Sequence, residues 1–302
     1  TAVYSRTKEK GLAFAAPYGV KTIFTDLEEM AATDKIDAVY IASPNKLHIE
    51  QARVFLEHGK HVICEKPLSA HAKDVAELQA LAKECGLIYL EAIMFMHLPQ
   101  RKLLEEALKK IGDISVAKID FCQRSSKYDA YLAGSLPNIF NPALETGALM
   151  DLGVYCVYPA LYLFGNPQNT LAVSHLLASG ADGSDIVAMQ YPDKLVNLVF
   201  SKVGQAGANT DFQGTNGTVS VESISKLANI SIRYNNGTVE EVCGEEEKFK
   251  LMGYEAKDFY RYITEPEASR AEYERCSALA HDVSVYMEEI RKLANIRFPS
   301  DN

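Results

Sequence analysis

Hydrophobic residues fall in short dense runs over about the first ninety positions and in a two-residue alternation over much of the remainder. Ala2–Tyr4 and Thr22–Phe24 read as short strands. Ala38–Ala42 is a continuous apolar run, the mark of a strand covered on both faces. Lys60–Cys64 and Ile88–Ala92 are two further strands. Between them lie helical stretches: one from the polar Ser5-Arg6-Thr7 to near Ala16, then Leu27–Ala32, His48–His58 and Ala70–Cys85. Asp26, with Glu29 three residues on, is a capping-box start for the second of these. Strands alternating with helices predict βαβ units and a parallel sheet.

Beyond residue 93 the rhythm changes. A helix at Pro99–Lys110 precedes a strand at Ile114–Gln123, and a helix-like, largely apolar segment spans Gly147–Phe164. Strand patterns then crowd together without helices between them: Ile186–Tyr191, Leu195–Ser201, Thr218–Glu222, Ile230–Tyr234 and Val239–Val242. Asn216-Gly217 and Asn236-Gly237 are hairpin signals beside them. Two helices, Tyr254–Tyr262 and Glu272–Leu293, close the chain. The expected organisation is an α/β parallel-sheet domain over residues 1–93, followed by an α+β domain with a predominantly antiparallel open sheet over residues 94–302.

Composition narrows the functional classes. Thirty-one Lys and Arg stand against 40 Asp and Glu, a net charge of −9 over 302 residues, which argues against a nucleic-acid partner. No apolar run reaches the length of about 18–20 residues that a membrane-spanning helix requires. Cys64, Cys85, Cys122, Cys156, Cys243 and Cys276 show no CxxC or regular framework, the usage expected of a cytoplasmic protein. His58, His61 and Cys64 have metal-like spacing, but they cross from a helix end into a strand, so their side chains should diverge and no metal is expected. Glu245-Glu246-Glu247 reads as a solvated turn.

The candidate chemistry lies where strands end. Ala42-Ser43-Pro44-Asn45-Lys46-Leu47-His48 connects a buried parallel strand to a helix, and ligands of open α/β sheets bind beyond the carboxyl ends of strands. Glu65-Lys66-Pro67 ends the next strand, with Lys66 biased toward an extended conformation by the proline. Asp151 and Tyr155, four residues apart on the expected helix, share one face of an otherwise apolar segment. An acid in such surroundings calls for a partner.

Taken together, Ala42–His48, Glu65-Lys66-Pro67, Glu91-Ala92 and Asp151-Leu152-Gly153-Val154-Tyr155 resemble the Gfo/Idh/MocA family of NAD(P)-dependent oxidoreductases, related to glucose–fructose oxidoreductase and inositol dehydrogenase. The order and spacing match over nearly the whole chain. Around Asp151–Tyr155 the text is most similar to dimeric dihydrodiol dehydrogenases. The resemblance implies a Rossmann-type first domain and a substrate-binding, oligomerisation second domain that forms a homodimer or homotetramer. It also implies hydride transfer to or from a hydroxyl or carbonyl of a sugar, polyol or cyclic diol. Members that bind the dinucleotide without catalysis, as sensors or co-regulators, are the alternative; retention of Lys66, Asp151 and Tyr155 favours an enzyme.

Carried over onto this sequence, the catalytic set is Lys66, Tyr155 and Asp151. Tyr155 is expected to be the general acid/base, with the Lys66 ammonium beside it lowering the phenol toward neutrality and donating to the substrate oxygen, and Asp151 holding the substrate or the lysine in place. The cofactor contacts are Ser5, Arg6, Ala42, Ser43, Pro44, Asn45, His48, Glu65, Lys66 and, more remotely, Tyr254. Arg6, with no acid before Glu9, favours NADP over NAD, because an arginine there accommodates the 2′-phosphate. Two departures stand out. The family's opening strand and glycine-rich loop have no counterpart here, so an N-terminal extension of roughly 25–30 residues is expected in the natural protein. Met94-Phe95-Met96-His97-Leu98-Pro99 replaces the Arg and His that the family often places after Glu-Ala.

Overall fold

The computed structural model describes residues 1–301. In chain order the first part contains β1 (Ala2–Tyr4), α1 (Lys8–Ala15), β2 (Thr22–Phe24), α2 (Leu27–Ala32), β3 (Ala38–Ile41), α3 (His48–Glu57), β4 (His61–Glu65), α4 (Ala72–Glu84) and β5 (Tyr89–Ala92). Local chemistry sets the helix starts. The Thr7 hydroxyl accepts from the Lys10 amide at 3.4 Å, and Asp26 Oδ1 accepts from the Glu29 amide at 2.8 Å. All pairings are parallel, with β1 on β2 (Ala2 opposite Thr22) and β3-β4-β5 in that order (Ala38 opposite His61, Val62 opposite Tyr89). The parallel strands form two pieces, β2-β1 and β3-β4-β5, and β1 does not hydrogen-bond to β3. Their directions and order are those of strands 3-2 and 4-5-6 in a doubly wound sheet.

The remainder comprises α5 (Gln100–Lys110), β6 (Ile114–Cys122), α6 (Tyr128–Leu132), a π-helical turn (Leu149–Gly153), α7 (Val154–Phe164), β7 (Asn169–Leu176), β8 (Asp182–Gln190), β9 (Leu195–Ser201), β10 (Thr210–Gly214), β11 (Gly217–Ser223), β12 (Ala228–Tyr234), β13 (Val239–Cys243), α8 (Lys248–Thr264) and α9 (Pro266–Leu293). The eight strands form one sheet in the order β13-β12-β11-β10-β6-β9-β8-β7. It is antiparallel except at its centre, where β6 runs parallel to β9 with Val116 opposite Leu195. Strands β7 and β10 escaped the sequence reading because their residues are half exposed and polar-rich. Val187, Met189, Val196, Leu198, Phe200, Phe212, Val219 and Val221 are buried on one face. Leu171, Val173, Ile186 and Leu195 stand exposed on the other, as period-two alternation requires.

Helix α9 ties the sheet domain back to the first part. The Gln79 amide donates to the Ser277 carbonyl at 2.7 Å, the Ala72 amide to Glu288 at 2.9 Å, and the buried Arg291 to the Ala70 carbonyl at 3.0 Å. Arg291 also pairs with Asp301 at 3.0 Å. These contacts pack α9 against α4 and the loop that precedes it. No helix among the described residues is long and apolar enough to cross a membrane.

Candidate active site

Lys66 emerges from the carboxyl end of β4, and its ammonium crosses to the π-helical turn. Nζ donates to the Asp151 carbonyl at 2.8 Å and to Asp151 Oδ1 at 3.0 Å, and lies 4.8 Å from the centroid of the Tyr155 ring. Phe121 meets that ring edge-on at 5.5 Å. Lys66, Asp151 and Tyr155 thus converge, although the backbone differs from the expected regular helix: residues 149–153 wind as a π-turn before α7 begins. Gly153 permits this, since a Cβ there would sit 2.9 Å from Phe200 of β9.

A fourth member escaped the sequence reading. Lys202, just past β9 and only 2% exposed, places Nζ 2.9 Å from Asp151 Oδ2 and 3.1 Å from the Ile139 carbonyl, above the Phe140 ring. One carboxylate is therefore shared by two ammoniums. Burial works to raise the Asp151 value, but Lys66 and Lys202 outweigh it and hold the acid well below the ordinary carboxylate range. The two lysines move in opposite directions. Burial pulls the Lys66 ammonium down, yet Asp151 and Tyr155 leave it net raised, whereas for Lys202 burial prevails over Asp151 and lowers it. The expected lowering of Tyr155 is corrected. Burial pushes the phenol up more strongly than Lys66, facing its ring, draws it down.

The predicted cofactor loop is held by His48. This side chain is fully buried, with Nδ1 2.9 Å from the Pro67 carbonyl and Nε2 2.9 Å from the Ser43 carbonyl. Its ring joins the loop after β3 to the loop after β4. Asn45 donates to the Glu145 carbonyl at 2.8 Å, and Glu65 accepts from the Tyr40 hydroxyl at 2.7 Å. Ala42 is exposed beside Ser43 and Pro44. Ser43 Oγ is buried without a hydrogen-bond partner at the carboxyl end of β3. Ser5 and Arg6 lie between β1 and the first turn of α1, with Arg6 exposed. An unspent hydroxyl at one strand end and a free guanidinium at another fit the polar groups of a dinucleotide.

Tyr254 lies on α8, but the residue of that helix whose charge reaches Tyr155 and Tyr40 is its neighbour Glu255. Burial, with Glu65 and Glu91 nearby, pushes Glu255 up to about 8. Glu91, buried behind Lys66 and bonded to the Tyr158 hydroxyl and the Leu68 amide, is likewise pushed up to about 7 by burial. His97 turns away to Asp258, 2.9 Å from Nδ1. His58 faces Glu28, His61 Nδ1 accepts from the Ile88 amide at 3.0 Å, and Cys64 is buried, so the three do not converge. Among the described residues no group of three or more His, Cys, Asp or Glu side chains is arranged to hold a metal ion.

Two family models match this chain: the oxidoreductase family with an NAD-binding Rossmann fold, GFO/IDH/MocA, over residues 1–92, and the GFO/IDH/MocA C-terminal domain over residues 101–220. A scyllo-inositol 2-dehydrogenase (NADP(+)) of Bacillus subtilis (strain 168) is 42% identical over 303 residues, covering 100% of this chain and 91% of that protein. A trans-1,2-dihydrobenzene-1,2-diol dehydrogenase of Mus musculus is 28% identical over 316 residues, covering 99% and 90%. The crystal structure of a 3-ketoreductase from Actinomadura kijaniata in complex with NADP and TDP-benzene shares the fold. It superposes with a TM-score of 0.82 at 23% identity, over 94% of this chain and 87% of that one.

Proposed function

The chain belongs to the Gfo/Idh/MocA oxidoreductase family, and from that premise we propose that it transfers a hydride between NADP and a hydroxyl or carbonyl of a ring polyol, sugar or cyclic diol. The observation that carries this reading is the Lys66–Asp151 pair beside Tyr155 at the carboxyl edge of the parallel strands. Residues 1–93 serve as the dinucleotide-binding unit, and residues 94–302 supply the substrate side and the oligomer contact. Ser5 and Arg6 hold the adenosine 2′-phosphate, and Ala42, Ser43, Pro44, Asn45 and Glu65 border the rest of the cofactor. His48 positions that loop, and Tyr254 stands farther off. When bound, the nicotinamide gives or accepts the hydride.

Removing a hydride from a carbinol carbon obliges the hydroxyl proton to leave, and delivering one to a carbonyl obliges a proton to arrive. Lys66 sits where that proton is handled. Asp151 favours its charged form, so in the reducing direction the ammonium donates a proton to the substrate oxygen and is left as the amine, and in the oxidising direction that amine accepts the hydroxyl proton and the ammonium re-forms beside Asp151. Tyr155, with its phenol protonated at neutral pH, offers a second donor on the same side. Asp151 keeps Lys66 in place, and Lys202 keeps Asp151 in place. The protein is proposed to be cytoplasmic and to form a homodimer or homotetramer through the open face of its large sheet. There Leu171 is 66% and Val173 65% exposed.

The test follows reduced nicotinamide by its absorbance while NADP and then NAD are offered with inositols, sugars and cyclic diols. NADP-preferring turnover of at least one ring polyol or diol is expected. Tight cofactor binding with no turnover across the whole panel would overturn the catalytic reading.

A further inference from the structure

Behind the π-turn lies a second acidic group that the chemistry above does not use. Asp182, which is fully buried, and Asp185, 3% exposed, both project from β8 into the core, within hydrogen-bonding reach of one another. Asp182 Oδ2 accepts from the Leu149 amide, the first of the π-turn, at 2.6 Å. Asp182 Oδ1 and both oxygens of Asp185 are buried, and the one donor beside Asp185 is the Ser174 hydroxyl of β7, itself buried without another partner. The fit is tight: a Cβ at Gly147 would collide with Asp182 Oδ1. Two ionised carboxylates facing each other in the core carry a heavy desolvation and repulsion cost, and one proton between them removes the repulsion and leaves a single charge to be buried.

We propose that Asp182 and Asp185 share a single proton and, as a buried pair, position the turn that carries Asp151. This rests on the reading of Lys66 and Asp151 as the proton-handling group. The proton bridges the two acids and fixes the orientation of the Asp182 carboxyl. Its outer oxygen then anchors the Leu149 amide, and Asp151, two residues on, stays divided between Lys66 and Lys202. The charged and titratable groups facing the pair are few. Lys202, beyond β9, acts on Asp182 but makes its close contacts with Asp151 and the Ile139 carbonyl, and β7 contributes only the Ser174 hydroxyl, opposite Asp185. Burial, reinforced by Asp182, pushes Asp185 up to about 9, so the pair keeps its proton through neutral pH.

Infrared spectroscopy with isotopically labelled aspartate tests the shared proton. The native protein at neutral pH is expected to show the carbonyl band of a protonated aspartate, and Asp185→Asn is expected to lose it. Absence of that band in the native protein would overturn the proposal. Hydrogen exchange at the Leu149 amide tests the positioning role: protection in the native protein, lost in Asp185→Leu and largely restored in Asp185→Asn. In turnover, Asp185→Leu should lower kcat by about 10²-fold, the scale of a displaced catalytic group. The KM for NADP should be little changed, and Asp185→Asn should recover most of the loss. Native kcat and native Leu149 protection in Asp185→Leu would refute positioning. If Asp185→Leu does not fold, the native band and its loss in Asp185→Asn still decide the matter. Should the native protein turn over no substrate at all, the functional reading falls, while the band and the amide exchange still judge the acid pair.

Discussion

Lys66 gathers more of the chemistry than any other side chain. Its ammonium bonds both the carbonyl and the carboxylate of Asp151 while resting on the face of Tyr155. Replacing Lys66 by Met removes the charge that a substrate oxygen would meet, and kcat should fall by about 10²–10⁴-fold, the usual worth of a positioned acid or base. Tyr155→Phe keeps the ring under the ammonium and removes only a hydroxyl, so its loss of kcat should be smaller. Steady-state kinetics on one substrate compares the two variants; a larger effect for Tyr155→Phe would reverse the assignment. At the opposite end of the proposed cofactor site, Arg6 is exposed and has no acid beside it before Glu9. Arg6→Ala should weaken NADP by about 10–100-fold, the value of charge-assisted hydrogen bonds, and NAD hardly at all. Fluorescence titration with each cofactor measures the difference.

The π-turn Leu149–Gly153 is the element on which the site depends. Its first amide is anchored by Asp182, its middle carboxylate is gripped by two lysines, and its last residue presses on Phe200. Such close approach requires glycine at position 147, two residues before the turn, and at position 153, its last residue. A methyl at Gly147 would strike the Asp182 carboxyl, so Gly147→Ala should destabilise the protein by about 1–3 kcal/mol, as overpacking does. It should also lower kcat through Asp151. Urea unfolding and turnover measured together check this; unchanged values in both would mean that the turn tolerates movement. In the sheet, by contrast, the hairpins need little outside help. Asn236-Gly237 closes β12–β13 with Gly237 at φ 88°, a conformation glycine adopts freely.

Over the assembled protein, buried acids should dominate the dependence of stability on pH. Burial raises Glu91 to about 7, Glu255 to about 8 and Asp185 to about 9. A carboxyl with its folded value above its unfolded value near 4 binds more protons when folded. Its stabilisation is complete at low pH and is lost as pH rises toward the folded value. Asp151 has the opposite sign: its contribution is present above about 4 and is lost on further acidification. Thermal unfolding should therefore show higher stability at pH 6 than at pH 9, and the reverse order would contradict the burial of these acids. The open sheet face makes a separate prediction. Glutamate at both Leu171 and Val173 should shift the proposed oligomer toward monomer in sedimentation, with the protomer still folded.

Periodicity and punctuation are local properties, and what depends on them was legible in the chain alone. The alternation of β1 through β5 with helices, the antiparallel character of the second half, and the placing of Ser43, Lys66 and Asp151 in motifs at strand and helix ends all follow from neighbours a few residues apart. The polar, half-exposed strands β7 and β10 lacked that signal. Other features depend on partners distant in sequence. The Lys66–Asp151 contact spans 85 positions. Lys202 reads as an ordinary lysine after a strand until β9 delivers it, buried, to Asp151. Asp182 and Asp185 read as polar residues before an apolar run until the sheet closes over them. The direction in which Tyr155 shifts was decided in the same way. Burial and the position of the ammonium over the ring set the balance between desolvation and charge, and both arise only when separate elements pack together.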